Sequence, residues 1–240
     1  MATVKNNRAI AKISQAVTFK ANGKDVTLTP EVVKSYLVSG NEANITMQEI
    51  VMFINLCKFN GLNPWLKEAY LIKYGSSPAT LVTSKEAYLK RAEANPAYDG
   101  KSEGLIVLNA EGEVEHRDGA FYMEGEEILG AWCEVYRKDR SHPTRTEVSF
   151  REYAGRTKDG SLNSQWATKP ATMIRKVAIV HALREAFPGV IGGGIIPEEK
   201  GLTEEEAAPD FVDITGEGEQ PQRVVAQTSQ DEQPESDSLL

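Results

Sequence analysis

This chain has few of the residues that metal or disulfide chemistry requires. Its two cysteines, Cys57 and Cys133, lie far apart in apolar surroundings. Its three histidines, His116, His142 and His181, have no ligand spacing to one another or to a cysteine. Free, buried thiols in a reducing compartment are therefore expected, and no metal site is. Long apolar runs are missing too, so nothing in the sequence approaches a membrane span. The opening stretch MATVKNNRAIAKISQ lacks the apolar segment of a signal peptide, which predicts a cytoplasmic protein without membrane contact. Nucleotide motifs are near misses. Gly100-Lys101-Ser102 looks like the end of a phosphate loop, but Asn95 and then Pro96 stand where the first glycine belongs, and a strand rather than a helix should follow. Gly192-Gly193-Gly194 lacks the strand and helix of a dinucleotide fingerprint and reads as a connector. No nucleophile elbow appears, and the one Glu-x-Lys of nuclease type, Glu198 to Lys200, borders a tail. A non-enzyme without cofactors is expected.

Charge is present in quantity but unevenly placed. The formal net charge is −8, yet residues 201–240 hold eleven Asp and Glu against Arg223 alone. That tail is rich in Gln, Ser, Pro and Gly, has Phe211 as its one aromatic, and cannot bury enough to fold alone. It is expected to be disordered, with residues 1–200 forming a single folded domain. Inside that domain, residues 137–184 contain eleven Lys and Arg against four Asp and Glu.

Periodicity outlines the elements. A strand is predicted around Val17 to Leu28, after a short basic helix. Thr29-Pro30 opens a short helix that runs toward Gly40. Thr46 and Glu49 form a capping box, with Ile45 and Ile50 as its staple, for a helix ending at Gly61. Ala69 to Tyr74 reads as a strand, and Thr83 with Glu86 offers a second capping box for a helix to about Ala94. Strand-like runs follow at Leu105–Leu108, Val114–Arg117, Ile128–Lys138 and Arg145–Phe150. From Met173 to Phe187 apolar residues point in nearly every direction and predict a helix buried on several sides, starting near Lys169 with Thr168 as cap and Pro170 in its first turn. The fold class is α+β: an antiparallel meander packed with helices, one of them long, central and buried.

The N-terminal end of that long helix is the candidate site. Trp166, Lys169, Arg175 and Lys176 put an aromatic face beside cations, the parts of a single-strand nucleic-acid site. Taken singly, each has a plainer reading, as a core Trp and solvated basic side chains.

Four strings then carry a resemblance: N-P-W-L-K-E-A-Y from Asn63, K-E-A-Y-L-K-R-A with N-P-x-Y-D-G from Lys85 to Gly100, G-A-W-C-E-V-Y-R-K-D from Gly130, and W-A-T-K-P-A-T-M-I-R-K-V-A from Trp166, closed by A-L-R-E-A-F-P. Together they resemble the RecT family of phage single-strand annealing recombinases, related to the Red-beta proteins, over roughly residues 43–199. The resemblance implies ATP-independent binding of single-stranded DNA and annealing to duplex, by rings or helical filaments of the chain in a bacterial host. It implies a DNA groove at Arg137, Lys138, Lys169, Arg175 and Lys176, to which the local basic and aromatic pattern adds Arg140 and Trp166. It also implies contact with an exonuclease or the host single-strand binding protein. Trp65 is either an interface anchor or a core residue.

Overall fold

Hairpin chemistry opens the described part of the chain. Asn22 and Gly23 both take positive φ, 52° and 77°, as a tight turn between two twisted strands demands. They join β1 (Val17–Ala21) to β2 (Lys24–Leu28), whose alternate residues Phe19, Ala21, Val26 and Leu28 are buried. The computed structural model describes residues 16–73, 76–189, 194–200 and 209. The expected basic N-terminal helix, the acidic tail and most of the glycine connector therefore lie outside the described residues.

The Thr29 hydroxyl accepts from the Val32 amide and starts α1 (Pro30–Tyr36). That helix stops short of the predicted Gly40, because Val38–Gly40 becomes β3, parallel to β4 (Ala69–Lys73). Gly40 sits at φ 88°, and a Cβ there would stand 2.4 Å from the Lys73 carbonyl oxygen, so a side chain is excluded by the strand it pairs with. The capping box forms as expected: Glu49 N–H donates to the Thr46 hydroxyl, and the Glu49 carboxylate accepts from the Thr46 amide at 2.8 Å. It begins α2 (Met47–Asn60), which ends on left-handed Gly61 and buries Ile50, Phe53, Ile54 and Cys57.

The second capping box is displaced by one residue. Ser84, not Thr83, caps α3 (Lys85–Glu93). Thr83 is instead the last residue of β5 (Thr80–Thr83), antiparallel to β4, and its amide donates to the Ile195 carbonyl at 2.7 Å. A residue whose backbone is committed to a strand neighbour cannot also turn out as a cap.

The main sheet contains β6 (Tyr98–Leu108), β7 (Val114–Asp118), β8 (Glu127–Arg137) and β9 (Thr144–Ser149), all antiparallel, in the order β7-β6-β8-β9. The meander is thus interrupted at one step: β7 pairs with one edge of β6 and β8 with the other. Gly100-Lys101-Ser102 lies within β6. After the short α4 (Phe150–Tyr153) and α5 (Ser164–Thr168), α6 (Pro170–Ala186) crosses one face of this sheet.

Strand alternation decides which side chains meet α6. Leu105 and Val107 of β6, Ala131, Cys133 and Val135 of β8, and Val148 of β9 are buried with Ile174, Val177, Ala178 and Leu183. Each large apolar group so buried contributes about 1.5–3 kcal/mol. The opposite face carries Trp132, whose indole N–H donates to the Arg117 carbonyl at 3.2 Å across the space left by Gly104. Burial pushes the Cys133 thiol up to about 12, so it stays neutral and acts as a small core hydrophobe.

Candidate nucleic-acid interface

The start of α6 is built differently from its sequence reading. Asn163 caps α5 through the Trp166 amide, and Thr168 donates its hydroxyl to the Ser164 carbonyl, so it does not cap α6. Lys169 takes the capping place with no side-chain bond, and Pro170 follows at the first helical position, where a missing N–H costs nothing. Lys169 is exposed at this kink between two helices.

Trp166 is not a surface platform. It is 0% exposed, with its ring edge-on to Phe150 at 5.4 Å between centroids. The single turn of α5 rotates it toward the core while Ala167, Thr168 and Lys169 face solvent.

Arg175 and Lys176 are held by carboxylates. Arg175 makes a two-pronged pair with Glu103 of β6, at 2.6 and 2.5 Å. Burial would raise the Glu103 carboxyl, but the hydrogen bond from Arg175, with help from Lys101 at 3.3 Å, holds it below the ordinary carboxylate range. Lys176 donates to Glu198 at 2.9 Å, and Glu198 is fully buried. Glu199 sits beside it and accepts from Arg184 and His181, at 2.6 and 3.0 Å. Burial opposes its ionisation, yet the His181 and Arg184 contacts bring its carboxyl down to about 2. The Glu-x-Lys string is therefore a clasp that fastens residues 197–200 to α6.

The residues that come together to form a cleft lie at the other end of α6. Arg91, Asn95, Pro96, Arg137, Phe187 and Pro188 line an open depression of about 640 Å³. The Arg137 guanidinium lies 4.7 Å over the Phe187 ring. It is fixed there by a forked pair with Asp139, at 2.8 and 2.6 Å, and by a hydrogen bond to the Ala186 carbonyl. Tyr98 packs against Phe187 at 6.2 Å. Lys138 and Arg140 follow in the turn and are exposed, with the Lys138 amide donating to the Ala97 carbonyl at 2.8 Å. The arrangement offers a planar cation over an aromatic ring, held by three hydrogen bonds, with two exposed cations beside it. That suits stacking and phosphate contact.

Of the expected residues, Arg137, Lys138 and Arg140 cluster at this cleft. Lys169 stands exposed at the opposite end of α6, Arg175 and Lys176 are paired, and Trp166 is core. Sequence reasoning missed Arg91, Asn95 and Phe187 as site residues. They lie within the quoted K-E-A-Y-L-K-R-A, N-P-x-Y-D-G and A-L-R-E-A-F-P strings, but nothing local says that these strings meet. Among the described residues no group of three or more His, Cys, Asp and Glu is placed to hold a metal ion, and no helix is long and apolar enough to cross a membrane.

Recombination protein bet of Escherichia phage lambda is 22% identical over 169 residues, covering 69% of this chain and 57% of that protein. An uncharacterized protein, UU154, of Ureaplasma parvum serovar 3 is 27% identical over 140 residues, covering 58% of this chain and 54% of that protein. The chain thus spans a little over half the length of these curated relatives. The RecT family model matches residues 25–213, from the first hairpin through α6 and the clasp, and the chain belongs to the RecT family.

Proposed function

We propose that this chain binds single-stranded DNA and anneals it to a complementary strand in phage homologous recombination, without ATP or another cofactor, in the cytoplasm of a bacterial host. Copies line up as a ring or helical filament, and residues 1–200 carry both activities. An exonuclease or the host single-strand binding protein is the partner class, with the acidic tail as its contact. The observation that carries the reading is the cleft where the Arg137 guanidinium lies over the Phe187 ring beside the exposed Lys138 and Arg140. Annealing needs a strand held by its phosphates with base edges left open to a second strand. Exposed Lys and Arg supply the first, and a site with no side chains directed at base edges supplies the second. Family membership and the recombination protein of phage lambda support the same assignment.

The pairing pattern makes the proposal quantitative. If Lys138, Arg140 and Lys169 meet phosphates, log affinity falls against log salt with a slope of about −2 per chain on single strands. Six contacts, adding Arg137, Arg175 and Lys176, give about −4. Fluorescence anisotropy of mixed-sequence oligonucleotides across a salt series measures it, and Lys138→Ala or Arg140→Ala reduces the slope by about 0.7 each. Strand annealing by the purified chain in nucleotide-free buffer is the companion measurement. A dependence on hydrolysable nucleotide, or shortened products with magnesium, overturns the assignment.

A further inference from the structure

Two apolar features on different elements match in shape and charge. The outer face of α2 presents Met52, 64% exposed, and Phe59, 81% exposed. Seven residues apart, they stand on one line of the helix about 10 Å from each other. Lys58 is exposed beside Phe59. Large apolar side chains so spaced are the anchors by which a helix seats in a groove.

The matching groove lies at the other side of the fold. Tyr122, Ile128, Phe150, Leu162, Trp166 and Pro170 wall a cavity of about 330 Å³ that opens to the surface. Phe121 and Met123 flank Tyr122 and are exposed at its edge. Glu124 and Glu127 give the rim negative charge. The lining is largely apolar, so the cavity favours an occupant that brings apolar surface, and its acidic rim favours one that brings a cation.

The C-terminal turn of α2 brings both, an exposed Phe59 ring and the Lys58 cation next to it. We infer that α2 of one copy docks, Phe59 foremost, into the Trp166 cavity of the next copy. Lys58 then faces Glu124 and Glu127, and Met52 packs on Phe121 and Met123. Within one chain α2 packs on α1, β1 and β4, whereas the cavity belongs to the β8, α4, α5 and α6 side. Knob and socket are different surfaces, so the contact is heterologous and repeats from copy to copy. It deepens the aligned-copy reading above and gives that alignment its side chains.

The test is sedimentation velocity of the full chain, alone and on a long single strand, with Phe59→Asp as the knob variant and Ala167→Trp as the socket variant. Ala167 is exposed on the rim, so filling the socket from there leaves the core in place. Each variant alone is expected to sediment as one chain, and an equimolar mixture to form a two-chain species, because one intact knob then meets one intact socket. Unchanged circular dichroism and unchanged affinity for an oligonucleotide short enough for one chain separate loss of the contact from loss of folding or of DNA binding. Self-association surviving either variant overturns the contact. So does a mixture that stays monomeric, or a Phe59→Asp effect with none from Ala167→Trp, which marks a symmetric α2 pairing instead. A wild-type chain that binds the short oligonucleotide yet stays monomeric on the long strand also overturns it. Failure to bind the oligonucleotide at all is failure of the DNA-binding reading, scored separately.

Discussion

Lys169 and Lys176 are seven residues apart and equal in formal charge, yet replacing them should damage different properties. Lys176→Ala removes the cation bonded at 2.9 Å to the fully buried Glu198 carboxylate. Breaking a buried pair by deleting one partner costs about 3–5 kcal/mol. The Lys176 side chain keeps 20% of its surface in water, and that screening brings the expected loss to about 2–3 kcal/mol. At about 2–4 °C per kcal/mol for a domain of this size, the melting temperature falls by about 4–12 °C. Lys169→Ala deletes an exposed side chain with no cap bond and shifts stability by less than about 0.5 kcal/mol. Its effect is on DNA: weaker binding on every sequence alike, with a flatter salt dependence. Differential scanning calorimetry and oligonucleotide anisotropy on the two variants in the same buffer separate the outcomes. The reasoning is refuted if Lys176→Ala melts like the wild type and loses DNA affinity as Lys169→Ala does.

Trp166→Ala removes a fully buried ring and should cost about 3–5 kcal/mol, read as a lowered urea midpoint. Trp166→Phe keeps most of the packing and should leave single-strand affinity unchanged; a selective loss of affinity in the Phe variant would restore the platform role. The Glu199 carboxyl is lowered to about 2 from an ordinary 4.5, so its contacts with His181 and Arg184 stabilise fully above pH 4.5 and that contribution is lost as pH falls toward 2. It amounts to at most about 3 kcal/mol, and urea melts at pH 5, 4 and 3 should show a shallower acid loss in Glu199→Gln than in the wild type. Gly104→Ala places a Cβ 1.7 Å from the Arg117 carbonyl oxygen and should disrupt the β6–β7 pairing, seen as early amide exchange in both strands.

What was legible in the sequence was local. The Thr46–Glu49 box, the Gly61 cap and Pro170 at a helix start are decided within one turn of chain, and each stands where its pattern put it. The error at Thr83 and Ser84 is of another kind. Both residues can cap, and the choice fell to Ser84 because Ile195, more than a hundred residues on, claims the Thr83 amide. Likewise β3 carries no strand pattern of its own and exists because Leu71 and its neighbours lie alongside. Trp166 had a basic neighbourhood in sequence, but Phe150 and the turn of α5 set its direction. The cleft itself joins residues from α3, β8 and the end of α6, and no window of sequence contains all three.

Charge shows the same limit most clearly, and it bears on function. The excess of Lys and Arg between residues 137 and 184 is real in sequence, but several of those cations meet acids from outside that stretch: Arg175 meets Glu103, Arg145 meets Glu134, Lys176 meets Glu198, and Arg184 meets Glu199. Those pairs fasten α6 to β6 and to residues 197–200, and β9 to β8. Phosphate would have to displace a carboxylate already in place to use them. Among the described residues Lys138, Arg140 and Lys169 form no such pair with an acid of another element, Arg140 having its chain neighbour Asp139 nearby; they sit in turns and at a helix junction rather than on packed faces. A protein that must hold a strand firmly enough to coat it, yet release it into a duplex, is better served by a few exposed cations than by many. Each added contact steepens the salt dependence by about 0.7 and deepens the well that annealing must leave. On the proposed annealing function the internal pairs have a second effect, keeping the basic helix from becoming a surface on which DNA is trapped.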